Sequence, residues 1–383
     1  MLQLLTLLSL ACALVQGVAV PPHQTRANSQ PLQLDFRVSK EVGNSSAQEF
    51  WASSAAAAAA TTTTKRDAYV ERILNYKDLA YQMDIFLGSD KQKNTVILDT
   101  GSSDLWVPST GYDPAASTSS RNTGQPFSVS YLGGVSAAGE YYLDTVNFAS
   151  GNLAISCFQF GVADHVGPGI LGIADKNQES SSCSYNNLPW ALQAAGLTPK
   201  ASYSLFLGDH GQSGTIIFGG IDTEKYTGDL VSYPIVEETG HLAVGLESVT
   251  FNGKNISVNQ PALLDSGVSL GLLNRQLMAE LDVLFNTTVV DMGGIEGRQI
   301  SCEQPTDKSL DFNFGANTIS LSYADAVVPQ EDGTCVLAFA YLNDYSILGD
   351  AFLRKAYVYY DLSDKTISLA QASYSDLTNV ISA

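Results

Sequence analysis

The chain has 383 residues, 45% of them hydrophobic, and carries 39 acidic against 20 basic side chains, a formal charge of −19. That length accommodates two lobes of ordinary domain size, and the apolar content excludes a chain that is disordered throughout. The acidic balance argues against nucleic acid and anionic membranes as partners, and an acidic medium would relieve the self-repulsion by protonating carboxylates.

Residues 1–19 hold an apolar run, Leu4 to Val15, and end in Gly17-Val18-Ala19, a small-x-small pattern suited to signal peptidase. The run is too short to cross a bilayer, so it reads as a signal peptide and the protein as secreted and extracellular. Cys12 leaves with that peptide. The remaining Cys157, Cys183, Cys302 and Cys335 form an even set suited to an oxidising compartment. They allow three pairings. Sequential pairing is favoured because each bridge then stays within one lobe. With no CxxC pair, and with His23, His165, His210 and His241 scattered singly, no metal or other cofactor is expected.

From Val20 to Arg66 the composition shifts. Pro21-Pro22 is followed by strand-like alternation over Leu32 to Val38, then by an alanine and threonine tract over 55–64 that cannot specify a core. The stretch closes on Lys65-Arg66, a dibasic pair in a flexible segment where a processing protease would cut. Residues 20–66 therefore read as a propeptide, and the mature chain starts near Asp67.

Beyond Tyr69, short alternating stretches separated by Gly, Ser, Asn and Asp predict an all-β, mainly antiparallel protein. Examples are Ala80 to Leu87, Gly214 to Phe218 and Ala356 to Asp361. Two helices are expected. One runs from Leu188 to Gly196, with Pro189 in its first turn and glycine at its stop, and the other has apolar residues at helical spacing over Arg275 to Phe285.

The chain says one thing twice. Val96-Ile97-Leu98-Asp99-Thr100-Gly101 is an apolar strand that delivers one acid into a tight turn, and Ala262-Leu263-Leu264-Asp265-Ser266-Gly267 repeats it. Each turn is followed at a comparable distance by Ile-Leu-Gly, at 170–172 and 347–349. Two related lobes facing across a cleft follow, residues 67–222 and 223–383, with Asp99 and Asp265 brought face to face. Carboxyls held a few ångströms apart cannot both ionise readily, so such a pair rests as one acid and one base. Such a pair can activate a water and protonate a leaving group without a metal.

These motifs resemble the pepsin-like aspartic endopeptidases over essentially the whole chain. Asp99-Thr100-Gly101-Ser102-Ser103 with Leu105-Trp106-Val107-Pro108 is similar to the family's first catalytic signature, and Asp265-Ser266-Gly267 to the second in its serine form. Tyr131, with Gly133, Gly134 and Gly139, resembles the hairpin that closes over substrate, and Ile347 to Leu353 the C-terminal signature. The Leu-Asp-Phe propeptide motif, the Lys-Arg exit and Leu369-Ala370-Gln371 look most like secreted fungal members of the candidapepsin and yapsin kind.

The resemblance implies a bilobal pepsin-like fold with a pseudo-twofold axis and Asp99 and Asp265 as catalytic residues. It implies further that Thr100 and Ser266 clasp each other's loop, that Ser102 bonds Asp99, and that Tyr131 and Trp106 partner each other while lining the cleft. Cys302 and Cys335 match the family's C-lobe bridge. Protein or peptide substrates, pepstatin-type inhibitors, a monomer and an acidic working range are expected with it. An apolar cleft predicts hydrophobic residues around the scissile bond, while the acidic surface keeps cleavage near basic residues open.

The sequence departs from the family in two places: Val268 stands where a hydroxyl is usual, and Leu132-Gly133 replaces the usual flap tip. Both support a rival reading, a pepsin-fold binding protein that is weak or inactive, which the two intact aspartates oppose. A two-carboxylate glycosidase is a second rival, but it has no need of twin Asp-hydroxyl-Gly turns. Asn255-Ile256-Ser257 and Asn286-Thr287-Thr288 fit the N-glycosylation sequon, as does Asn44 in the propeptide.

Overall fold

The computed structural model describes residues 31–37, 70–72, 80–131, 136–148, 153–209, 212, 214–292, 295–330, 332–341 and 346–383. The signal peptide, Asn44, Lys65-Arg66 and the flap-tip residues Gly133 and Gly134 lie outside them. The fold is all-β, with three seven-stranded sheets. One sheet belongs to the N-terminal half, one to the C-terminal half, and the third takes strands from both.

The N-terminal sheet runs in the order Gln82–Leu87, Gln92–Asp99, Gly169–Gly172, Leu105–Pro108, Leu153–Ala163, Ser136–Phe148, Arg121–Ser130. Its central feature is local. The strand ending at Asp99 pairs parallel with Gly169–Gly172, which on its other side pairs antiparallel with Leu105–Pro108. The C-terminal sheet repeats this: Lys254–Leu264 pairs parallel with Ile347–Leu348, which pairs antiparallel with Gly271–Leu272. The glycine ending each Ile-Leu-Gly is dictated by space. A Cβ on Gly172 would lie 2.6 Å from the Ser103 nitrogen, and one on Gly349 would lie 2.1 Å from the Val268 carbonyl oxygen. The repeat in the sequence is thus a repeat of backbone crossing.

The third sheet orders Tyr226–Pro234, Thr366–Ala372, Ala356–Asp361, Ser202–Phe206, Thr215–Phe218, Leu32–Arg37 and Val70–Arg72. It joins the halves, since Ala356–Asp361 pairs with Ser202–Phe206 and Tyr203 stacks on Tyr360 with ring centroids 4.8 Å apart. Leu32–Arg37 pairs antiparallel with Thr215–Phe218 and holds Val70–Arg72 parallel on its outer side. The largest buried apolar cluster runs through both halves, and a second surrounds Trp106.

The helices fall where the spacing puts them, at Leu188–Ala194 and Arg275–Phe285. The second starts because the Asn274 side chain accepts from the Leu277 N–H, and it buries Leu277, Met278, Leu281 and Phe285 on one face.

Cys302 and Cys335 are bonded, with Cα atoms 5.3 Å apart. The expected bridge between Cys157 and Cys183 is corrected: Cys157 carries a free, exposed thiol, and Cys183 is bonded but not to Cys157. The reason is a bulge. Cys157 adopts φ 55° where the register of its strand slips against Asp144 and Val146, and that kink leaves its thiol in solvent.

Candidate active site

Asp99 and Asp265 stand at the ends of the two crossing strands, both buried, at 5% and 6% exposure. In each turn the glycine two residues on donates its N–H to the acid, Gly101 to Asp99 Oδ1 and Gly267 to Asp265 Oδ1, each at 2.8 Å. The hydroxyl residues between them cross to the opposite turn. Thr100 Oγ1 donates to the Leu264 carbonyl at 2.8 Å and accepts from the Ser266 N–H at 2.9 Å. Ser266 Oγ donates to the Leu98 carbonyl at 2.9 Å and accepts from the Thr100 N–H at 3.2 Å. These four bonds are buried and related two by two, so neither turn can shift without the other.

The clasp brings the acids together. A Cβ on Gly101 would lie 2.4 Å from Asp265 Oδ2, and one on Gly267 would lie 2.5 Å from Asp99 Oδ1. Glycine is required at both places because each backbone edge faces the other half's carboxyl. Asp265 titrates well above the usual carboxylate range: burial is the largest cause and the Asp99 charge the next, with the Gly267 N–H working the other way. Two acids so placed, one disfavoured as an anion beside the other, have the arrangement an acid–base pair requires.

The model of the eukaryotic aspartyl protease family matches residues 80–372, most of the chain and both turns. The chain belongs to that family. Secreted aspartic protease 3 of Candida albicans is 36% identical over 346 residues, covering 82% of this chain and 85% of that protein. Candidapepsin of Candida tropicalis is 32% identical over 397 residues, covering 97% and 96%. The solved aspartic proteinase from Irpex lacteus aligns with a TM-score of 0.68 at 22% identity, covering 79% of this chain and 97% of that one, and shows the same pepsin-like fold.

In this aspartic endopeptidase the surroundings of the two acids differ. Ser102 Oγ donates to Asp99 Oδ2 at 2.5 Å. The corresponding place after Asp265 holds Val268, which packs with Leu270 on the apolar cluster of Leu272, Ala340 and Ile347. Tyr131 lies at the end of the Arg121–Ser130 strand, and its hydroxyl accepts from Trp106 Nε1 at 2.8 Å. Burial first, then the Asp99 charge, hold the Tyr131 phenol above its ordinary range, so it keeps its proton. Trp106 itself is fully buried, packed edge-on against His165 at 5.1 Å between centroids. Asn255 and Asn286 are exposed on the C-terminal half.

A group behind the Asp99 turn escaped the sequence reading. Asp104 is 2% exposed and accepts three bonds, from the Tyr141 and Tyr185 hydroxyls at 2.7 Å each and from the Ser180 N–H at 2.8 Å. Beside it Glu179 accepts from the Tyr185 N–H at 2.7 Å through Oε2, while its Oε1 is buried without a hydrogen-bond partner. Burial foremost, with Asp104 adding to it, pushes the Glu179 carboxyl up to about 8. The only local signal was Asp104 inside the first motif. Its partners lie 37 to 81 residues away.

Proposed function

We propose that Asp99 and Asp265 hydrolyse peptide bonds of protein substrates at acidic pH through a water held between them, in an enzyme secreted as a zymogen. The observation that carries this reading is the cross-clasp of Thr100 and Ser266, which fixes two carboxyls against each other's glycine. The pair shares one proton and one negative charge: Gly101 and Ser102 donate to Asp99, and Asp265, held above the usual carboxylate range by burial and the neighbouring Asp99, carries the proton. The anion takes a proton from water as the oxygen attacks the scissile carbonyl. Asp265 gives its proton to the carbonyl oxygen, and the proton taken from water then passes to the leaving amine.

Tyr131, kept protonated and tied to Trp106, forms the cleft wall with a largely apolar surface, which favours hydrophobic side chains around the scissile bond. The propeptide reading draws support from the third sheet. Leu32–Arg37 holds the place beside Thr215–Phe218, and Val70–Arg72, four residues past Arg66, lies one strand away from it. Cleavage after Lys65-Arg66 by a processing protease frees that place for the mature N-terminus. The mature enzyme acts as an extracellular monomer blocked by pepstatin-type inhibitors.

The test is digestion of denatured globin at pH 3 to 6 by the secreted protein, with and without pepstatin, beside Asp99→Asn. Cleavage that is abolished by both is expected. Cleavage that survives both overturns the assignment.

A further inference from the structure

We infer that Asn286 carries an N-linked oligosaccharide whose first sugars cover the exposed valines on either side of it, Val283 and Val289; this rests on the secretory reading above. The Arg275–Phe285 helix turns four residues into the core, which leaves Val283 on its other face, 81% exposed. The helix stops at Asn286, in the left-handed region at φ 49° and ψ 57°, a conformation asparagine tolerates. The chain then enters Thr288–Asp291, the outermost strand of a four-stranded sheet, where Val289 is 57% exposed. The sequon therefore sits between two exposed valines, one a helical turn before it and one three residues after it. Bare apolar side chains along an unpaired strand edge invite pairing with another chain.

The turn presents the acceptor firmly. Thr287 Oγ1 donates to Asp282 Oδ1 at 2.6 Å, and the buried Arg298 donates to the same oxygen at 2.6 Å and to Glu296 at 2.9 Å. Thr287 is thus tied down while Asn286 and Thr288, the two residues the sequon requires, stay exposed. The sequon at Asn255 differs. Asn255 Oδ1 accepts from Thr250, Ser257 Oγ accepts from Asn259, and the neighbouring Lys254 pairs with Glu280. A sugar there would cover polar surface and stand in water.

The transfer joins Asn286 Nδ2 to the anomeric carbon of a lipid-pyrophosphate-linked oligosaccharide. The bond from that carbon to the pyrophosphate oxygen breaks, the lipid pyrophosphate leaves, and the amide gives up one proton. The sugar's C–H face and N-acetyl methyl then lie against the valines while its hydroxyls face water.

The full chain, secreted from a eukaryotic host, is weighed by mass spectrometry before and after enzymatic removal of N-glycans, beside Thr288→Ala, Asn286→Gln and Asn255→Gln. Thr288→Ala removes the sequon without disturbing the left-handed asparagine. Globin digestion is followed in parallel. The expected result is loss of one oligosaccharide's mass with Thr288→Ala and Asn286→Gln, and its retention in Asn255→Gln. Thr288→Ala should also bind more hydrophobic dye and sediment as larger species, and adding Val283→Lys and Val289→Lys should reverse both. Secreted, active protein with no sugar on Asn286 overturns the inference, as does a Thr288→Ala protein whose dye binding and sedimentation match the parent. Active protein held inside the cell contradicts the secretory reading instead, and removes the ground for the glycan with it.

Discussion

The two aspartate turns share a backbone and differ in what stands behind them. Behind Asp99 the side chains are polar: Ser102 on its outer oxygen, then Asp104 with Tyr141, Tyr185 and Glu179. Behind Asp265 the same places in the motif hold Val268 and Leu270, packed on Leu272, Ala340 and Ile347. Backbone symmetry sets the two acids face to face, and the side chains around them are unequal. A duplicated frame builds the pair, and on the proposed mechanism the unequal shells would divide the labour.

The largest expected effect comes from removing either acid. Asp265→Asn should cut kcat about 10³-fold or more with little change in KM, since the lost group acts on the reacting atoms. Measured kcat within tenfold of the parent would contradict the pairing. Tyr131→Phe keeps the ring but removes the hydroxyl that accepts from Trp106, leaving a buried indole N–H unpaired. A loss of about tenfold in kcat/KM follows from an unpaired group of that kind, and an unchanged value would detach Tyr131 from the cleft wall.

The polar shell has a cost of its own, visible in stability. Glu179 holds its proton up to about 8 in the folded chain, against an ordinary value of 4.5. The folded state therefore keeps a proton that the unfolded chain has released, and stability falls as pH rises from the ordinary value through 8. Burial and, after it, the Asp104 charge disfavour the Glu179 anion, while the Tyr185 N–H, the Ser184 hydroxyl and Lys176 favour it. Glu179→Gln should shrink the drop in thermal midpoint between pH 5 and pH 7.5 by about 2–4 °C. An equal drop in both proteins would show that Glu179 is not what the alkaline side titrates.

How far the sequence reaches depends on how local each feature is. The Arg275–Phe285 helix is legible because its apolar residues recur at helical spacing within one contiguous run. The twin turns are legible because each is a contiguous run whose glycine has only one use, close approach to a carboxyl. The Asp104 group is not legible, since its tyrosines come from a flap strand and a loop that only the fold places side by side. The cysteines fail for a related reason. Counting them fixes how many pairings exist, but the bulge that leaves Cys157 free is a matter of strand register.

The most direct test of unequal shells is the pH profile of kcat/KM for the parent, Val268→Thr and Ser102→Ala. A hydroxyl beside Asp265 favours its anion, so Val268→Thr should move the upper limb down by about half a pH unit or more. Removing the hydroxyl on Asp99 should move the lower limb up. Three superimposable profiles would contradict the account, for the turns would then be equivalent in spite of what surrounds them.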